Sequence, residues 1–96
     1  MFIINITYKT ALDKVDLFLE QHIEYLNNQY ELGNFLASGK KNPRTGGVIL
    51  SNVKDKSDLE KIIEKDPFKI KGLANYDLIE FVPSKTCHEL KFLIEE

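Results

Sequence analysis

The strongest constraint on the fold is a stripe of mainly apolar side chains that recurs at helical spacing in the first third of the chain. Its members follow one another at i, i+3, i+4 and i+7 intervals: Val15, Phe18, Leu19, His22, Ile23, Leu26 and Tyr30. This spacing places all of them on one face of an α-helix. It predicts a long amphipathic helix over residues 11–31, which Gly33 closes near its C-terminal cap.

Four other segments predict strands. Residues 2–8 (FIINITY) alternate between two faces, which is the period-two pattern of a strand with one buried side. Residues 34–38 and 48–53 predict a hairpin, joined by the turn-rich loop 39–47. Residues 76–82 predict the last strand.

Two shorter helices complete the pattern. Ser57 and Glu60 have the spacing of a capping box, which opens a helix that Pro67 ends. After the last strand, Ser84 is placed to cap a short C-terminal helix with an apolar side made of Cys87, Leu90, Leu93 and Ile94.

The element order β-α-β-β-α-β predicts an α+β fold of the ferredoxin-like type, with two helices on one face of the sheet. We take residues 1–96 as a single domain, because a chain of this length holds only one core. The last strand carries apolar side chains on both faces, which is more than two helices can cover. We therefore expect a homodimer, in which a partner subunit covers the second face.

Composition excludes several classes of protein. With 13 basic and 15 acidic residues, the chain lacks the basic excess typical of nucleic-acid-binding proteins. No stretch approaches the ~20 apolar residues that span a bilayer, and the first residues do not resemble a signal peptide. Cys87 is the only cysteine, so an intramolecular disulfide and a cysteine-rich zinc site are excluded. We expect a cytoplasmic protein that binds neither nucleic acid nor membranes.

His22 lies in the middle of the apolar stripe and has two interpretations. It is either a core histidine whose ring nitrogen is satisfied by a neighbour, or a general base or acid, since a partly desolvated imidazole titrates near the working pH range. His22 has no ligating residue four positions away, so the sequence predicts no metal site. His88, in the C-terminal segment, is interpreted as a surface residue.

The Asp66-Pro67-Phe68 turn is the second candidate. One interpretation is structural: Asp66 caps a helix, Pro67 takes the first helical position and Phe68 anchors the turn. The other depends on topology, which lets this turn and the first helix reach the same end of the sheet. A carboxylate bonded to one nitrogen of His22 would fix the tautomer and raise the basicity of the other nitrogen. We therefore predict a hydrogen bond between His22 and Asp66.

The loop from Ser38 to Gly47 is the third candidate. It is either a flexible, solvated connection or an anion-binding loop, in which Lys40, Lys41 and Arg44 face a carboxylate or phosphate. It lacks the ending of a phosphate-binding P-loop. With only one arginine in the chain, a small carboxylate is the favoured ligand.

Taken in order, these features resemble the YciI-like (YCII-related) family of small bacterial proteins. The matching pieces are a hydrophobic first strand, His22 followed by Tyr25 and Leu26, then Gly33, Ala37-Ser38-Gly39, Asp66-Pro67-Phe68 and Gly72-Leu73. The similarity covers about residues 2–83. It rests on the order and spacing of these pieces together.

The resemblance implies a ferredoxin-like fold paired into a dimeric α/β barrel, with a pocket that holds a His–Asp pair, here His22 and Asp66, near Ser38. The family's broader relatives include muconolactone isomerases, small cofactor-independent monooxygenases and dehydrochlorinases that act on ring compounds. No cofactor is implied. The family often has Ser-Gly-Pro where this chain has Lys40 after Gly39, and Lys40 is expected to add positive charge at the pocket mouth.

Two functions from different classes follow. The first is a cofactor-independent enzyme, of lyase, isomerase or dehydrochlorinase type, that moves a proton on a small anionic substrate with His22 as base and Asp66 as its orienting partner. The second is a non-catalytic module that binds a small metabolite. The candidate ligand-binding residues are Ser38, Gly39, Lys40, Arg44 and Phe68.

Overall fold

A four-stranded sheet forms the centre of the computed structural model, which describes residues 1–94. Its strands are β1 (Phe2–Tyr8), β2 (Phe35–Lys40), β3 (Gly46–Ser51) and β4 (Ala74–Glu80). They lie in the order β2-β3-β1-β4, and each neighbouring pair is antiparallel. The predicted α+β fold of the ferredoxin-like type is confirmed. The last two strands each begin two residues earlier than predicted.

The helices cover one face of this sheet. They are α1 (Leu12–Asp16), α2 (Leu19–Glu31), α3 (Lys56–Ile63) and α4 (Pro67–Ile70), and a 3-10 helix (His88–Leu93) follows the last strand. The main core lies between the sheet and α2 and α3, where it buries Phe2, Ile4, Ile6, Tyr25, Phe35, Ile49, Leu59 and Ile63. No helix among residues 1–94 is long and apolar enough to cross a membrane.

The prediction of one unbroken helix over residues 11–31 is wrong, because the structure breaks it between α1 and α2. Phe18 leaves the helical conformation, with φ −113° and ψ 6°. Its side chain joins a second small core with Val15, Phe68 and Leu73, while Leu17 stays exposed. Packing of the Phe18 ring in this second core therefore interrupts the helix that the spacing of the sequence predicts.

Three predicted helix ends are also corrected. Asp55, and not Ser57, caps α3, because its carboxylate accepts hydrogen bonds from the backbone N–H groups of Ser57 and Asp58. Pro67 does not end α3, which stops at Ile63; it opens α4 instead, at the first helical position. Ser84 caps no helix, since the 3-10 helix begins after Cys87. The predicted closure at Gly33 is confirmed, with φ +78°.

β2 contains a register shift that decides which of its side chains face the helices. Phe35 is opposite Ser51, but Ala37, and not Leu36, is opposite the next residue of β3. Leu36 is therefore the extra residue of a β-bulge. As a result Phe35 and Ser38 both lie on the helix side of the sheet, although three positions separate them.

The opposite side of the sheet, called the open face below, is turned away from the core that the sheet forms with α2 and α3. Alternation along β1 places Ile3 on this face, paired with Leu50 on one side and Ile79 on the other. Val48 and Ile79 are 40% and 54% exposed. The open face is thus a row of apolar side chains that the described chain leaves in contact with solvent.

Candidate functional site

His22 and Asp66 meet beneath the first turns of α2. His22 Nδ1 lies 2.7 Å from Asp66 Oδ1, so the predicted hydrogen bond between the two side chains is confirmed. Asp66 is fully buried and His22 is 9% exposed. A carboxylate oxygen accepts, so Nδ1 carries the proton and donates it. The lone pair of the imidazole is then on Nε2, at the other edge of the ring.

Three donors converge on the Asp66 carboxylate. Besides His22, the backbone N–H of Phe68 donates to Oδ1 at 3.0 Å, and the Tyr76 hydroxyl donates to Oδ2 at 2.6 Å. The bond from Phe68 makes Asp66 the N-cap of α4, as one interpretation of the sequence expected. Both oxygens of a buried carboxylate are therefore satisfied, which offsets much of the cost of its burial.

Phe68 packs against one face of the His22 imidazole. Its ring stacks on that of His22 with centroids 4.0 Å apart and an angle of 7° between the planes. Phe68 is almost fully buried and does not line the neighbouring cavity. The stacking restricts rotation of the His22 ring, whose Nδ1 is held by Asp66.

Burial raises the pKa of Tyr76 well above its ordinary value, and the negative charge of Asp66 raises it further. Burial also raises the pKa of Tyr25, whose hydroxyl donates to the backbone carbonyl of Ile62 at 2.8 Å. Both phenols therefore stay neutral at physiological pH. Tyr76 acts as a fixed hydrogen-bond donor to Asp66, and not as a base.

A cavity of about 320 Å³ opens between α2 and the helix side of the sheet, next to His22. Its lining combines a mostly apolar floor with several polar groups: Ile6, Tyr8, Leu19, His22, Ile23, Leu26, Ser38, Gly39, Lys40, Arg44, Gly47, Val48 and Ile49. This combination, and a volume at the small end of the usual range, is typical of a site for a small molecule.

The predicted ligand-binding residues of the loop reach this cavity. Ser38, Gly39, Lys40 and Arg44 all line it. Arg44, however, is engaged with the protein itself: Nη2 lies 2.6 Å from Asp16 Oδ1 on α1. Within residues 1–94, Lys40 makes no ion pair. Of the two cations that line the cavity, Lys40 is therefore the one that forms no ion pair with a carboxylate among the described residues.

Ser38 is held in place by a residue that the sequence did not single out. Its Oγ lies 2.7 Å from the hydroxyl of Tyr30, near the end of α2. Tyr30 belongs to the helical stripe, so its periodicity indicated a buried side of the helix but not this contact. Ser38, on β2, and His22, on α2, both line the cavity.

Tyr76 is the second residue of the site that the sequence did not single out. In the sequence it is one of several apolar side chains in a predicted strand, and no spacing links it to Asp66. No three His, Cys, Asp or Glu side chains in the described part of the chain lie close enough to form a metal-binding group.

Structural comparison finds this fold in a solved enzyme. The 5-chloro-2-hydroxyhydroquinone dehydrochlorinase TftG from Burkholderia phenoliruptrix AC1100, in complex with 2,5-dihydroxybenzoquinone, matches with a TM-score of 0.71 at 16% sequence identity. The match covers 83% of this chain and 91% of that chain. A search of the curated proteins finds no match. The likeness to the dehydrochlorinase shows that the two chains share a fold.

The family model of the YCII-related domain matches residues 1–82. This range includes the four strands, the helices α1 to α4 and all residues of the candidate site. It stops before the 3-10 helix. The chain belongs to the YCII-related family.

Proposed function

We propose that the protein is a cofactor-independent enzyme that moves a proton on a small anionic substrate. The observation that carries this proposal is the buried hydrogen bond between His22 and Asp66 at the edge of a cavity that fits a small molecule. A non-catalytic binding module needs no oriented imidazole.

In the proposed mechanism, Nε2 of His22 accepts a proton from a substrate in the cavity. The Asp66 carboxylate keeps Nδ1 protonated and stabilises the imidazolium that forms, without itself becoming protonated. The apolar walls, including Leu19, Ile23 and Leu26, exclude water from the reacting atoms. His22 then returns the proton to the substrate or to the leaving group, which corresponds to isomerisation or elimination.

The substrate class we propose is a small acidic ring compound. The apolar floor suits a ring, and Lys40 suits a negatively charged substituent. The dehydrochlorinase with the same fold is named for a chlorinated hydroxyhydroquinone and was solved with a dihydroxybenzoquinone. This supports the ring as substrate class, whereas the sequence identity of 16% leaves the reaction open to direct test.

The test is proton exchange catalysed by the wild-type protein and by a His22→Gln variant. Small hydroxylated ring compounds, including 5-chloro-2-hydroxyhydroquinone, are incubated in D₂O, and deuterium uptake and chloride release are followed by NMR and ion chromatography. We expect His22→Gln to lower the rate by about 10²- to 10⁴-fold, the usual contribution of a general base.

The matched control is His88→Gln, because His88 is exposed in the 3-10 helix and far along the chain from the cavity. It should leave the rate unchanged. If the wild-type protein binds a ring compound in the His22 cavity but catalyses no proton exchange, this result would contradict the proposed enzymatic activity. It would support the non-catalytic binding module instead.

Ligand charge gives a separate prediction. Benzoate should raise the melting temperature of the wild type more than neutral benzamide does. Lys40→Ala should weaken benzoate binding by about 3- to 10-fold, since Lys40 is exposed and its charge is partly screened. Arg44→Ala should have a smaller effect, because Asp16 already occupies its guanidinium.

Lys41→Ala is the control for charge. Lys41 lies in the same loop, but it donates to Thr7 and does not line the cavity. Equal weakening by Lys40→Ala and Lys41→Ala would mean that the loop attracts anions only through its general charge. If benzoate stabilises none of the proteins, the ligand is not a carboxylate.

We also propose a homodimer assembled through the open face. Sedimentation at micromolar concentration should give a species of twice the 11.1 kDa chain mass. Ile79→Asp should dissociate it, because a charge would be buried in an apolar interface. Ile70→Asp, on the similarly exposed surface of α4, should not. A wild-type monomer under these conditions would exclude the dimer.

We further propose that residues 1–96 form one domain that works in the cytoplasm. Leu93 is buried, which ties the C-terminal segment to the rest of the fold. The single cysteine, Cys87, is unpaired, as is usual in a reducing compartment.

A further inference from the structure

Tyr76 connects the candidate site to a part of the molecule that the proposed mechanism does not use. Its hydroxyl donates to Asp66 at 2.6 Å, but its ring does not line the cavity beside His22. Tyr76 instead lines a second cavity of about 300 Å³, together with Lys69, whose ammonium lies 5.5 Å from the centroid of the Tyr76 ring. Tyr76 is therefore not among the residues that line the cavity next to His22.

We propose that Tyr76 is a positioning residue that orients Asp66 and thereby keeps His22 in the Nδ1–H form. The inference deepens the proposed function, since it concerns the same His–Asp pair. Its test differs from that of the proposed function because it needs no substrate. The position of the proton on the His22 ring can be measured in the free protein.

The argument starts from the two oxygens of the carboxylate. Oδ1 has two donors, His22 and the backbone of Phe68, whereas Oδ2 has Tyr76 alone. Without the Tyr76 hydroxyl, Oδ2 would be a buried charged acceptor with no partner among the described residues. Such an oxygen is costly to bury, so the carboxylate would turn or seek another donor.

A displaced carboxylate would no longer select one tautomer of His22. The hydrogen bond from the backbone N–H of Phe68 fixes only one oxygen of Asp66, and by itself it permits the carboxylate to rotate about the Cβ–Cγ axis. A neutral imidazole without a strong acceptor at Nδ1 distributes its proton between both nitrogens. The hydroxyl of Tyr76 would thus control, from outside the ligand cavity, how much of His22 presents a lone pair at Nε2.

The experiment compares Tyr76→Phe with the wild type by ¹⁵N NMR of the imidazole nitrogens. The spectra are recorded at mildly alkaline pH, where a free imidazole is neutral. The wild type should show Nδ1–H as the main form. In Tyr76→Phe, which removes only the hydroxyl, the ratio of Nδ1–H to Nε2–H should fall by about tenfold, as expected for the loss of a charge-assisted hydrogen bond.

Tyr25→Phe is the matched control. Tyr25 is also a buried tyrosine near His22, with ring centroids 6.3 Å apart, but its hydroxyl donates to a backbone carbonyl. Both variants should melt at lower temperature, and only Tyr76→Phe should change the tautomer ratio. An unchanged ratio in folded Tyr76→Phe would overturn the proposal and leave Tyr76 a purely structural role.

A measurement on the wild type covers the case in which Tyr76→Phe does not fold. A hydroxyl proton held in so short a bond should appear far downfield in the ¹H spectrum and exchange slowly with water. Its absence would overturn the proposal. If the tautomer result holds while no proton exchange is catalysed, the positioning role stands and the proposed enzyme activity fails.

Discussion

Replacing Asp66 with alanine is expected to lower the free energy of unfolding by about 3–5 kcal/mol, the usual cost of removing one partner from a buried charged pair. The change leaves the Nδ1–H of His22 and the hydroxyl of Tyr76 without their acceptor. It also removes the N-cap of α4. Since a domain of this size is stabilised by about 5–15 kcal/mol in total, urea unfolding should show the loss clearly.

Asp55→Ala provides the matched comparison. Asp55 is also the N-cap of a helix, but it is exposed and its carboxylate serves only the first turn of α3. Its replacement should cost about 1 kcal/mol, as is usual for a cap. If Asp66→Ala costs no more than Asp55→Ala, then Asp66 acts only as a cap and the buried network does not stabilise the fold.

Gly46→Ala is expected to lower the free energy of unfolding by at least about 3 kcal/mol, at the upper end of the range for overpacked sites. Gly46 is paired with Thr7 at the start of β3. A Cβ at this position would overlap the backbone carbonyl oxygen of Ile6 and lie 3.0 Å from Cα of Thr7. Backbone atoms cannot move aside as a flexible side chain can, so β1 and β3 would have to separate. Thermal unfolding monitored by circular dichroism measures the effect.

Gly39→Ala is the control for a glycine in the same hairpin. A Cβ there meets nothing within 4 Å, and its φ is not in the left-handed region. We expect a change within about 0.5 kcal/mol. Equal losses in the two variants would show that the close approach of the strands at Gly46 is relieved by small shifts, contrary to the prediction.

Local pattern was enough to predict the order of the elements, but not every boundary. Strand alternation and helical spacing are properties of short segments, so β1 and α2 could be recognised from residues 2–8 and from the apolar stripe. The break at Phe18 could not, because it depends on Val15, Phe68 and Leu73 meeting in a second core. The pattern on either side of Phe18 stays in helical phase, and tertiary packing overrides it.

The site was predictable where topology brings two segments together, as for His22 and Asp66. The contact of Tyr76 with Asp66 could not be predicted, since it depends on how close the tertiary structure brings a side chain of β4 to the N-terminus of α4. Nor could the sequence show that Arg44 pairs with Asp16, because either an internal carboxylate or a ligand can satisfy a guanidinium. The roles of the candidate residues in binding and catalysis stay predictions.

The extra residue in β2 has a consequence for how relatives of this chain should be aligned. Deleting Leu36 would restore unbroken pairing with β3 and would leave every following residue of the strand opposite the same partner. Ser38 and Lys40 would still lie on the helix side and Gly39 on the open face, because residues directly opposite each other in an antiparallel pair share a face. A homologue one residue shorter before its Ser-Gly pair would therefore keep the same pocket wall behind the same motif, provided that the missing residue is the bulge. An alignment that closes the gap anywhere else would equate residues on opposite sides of the sheet.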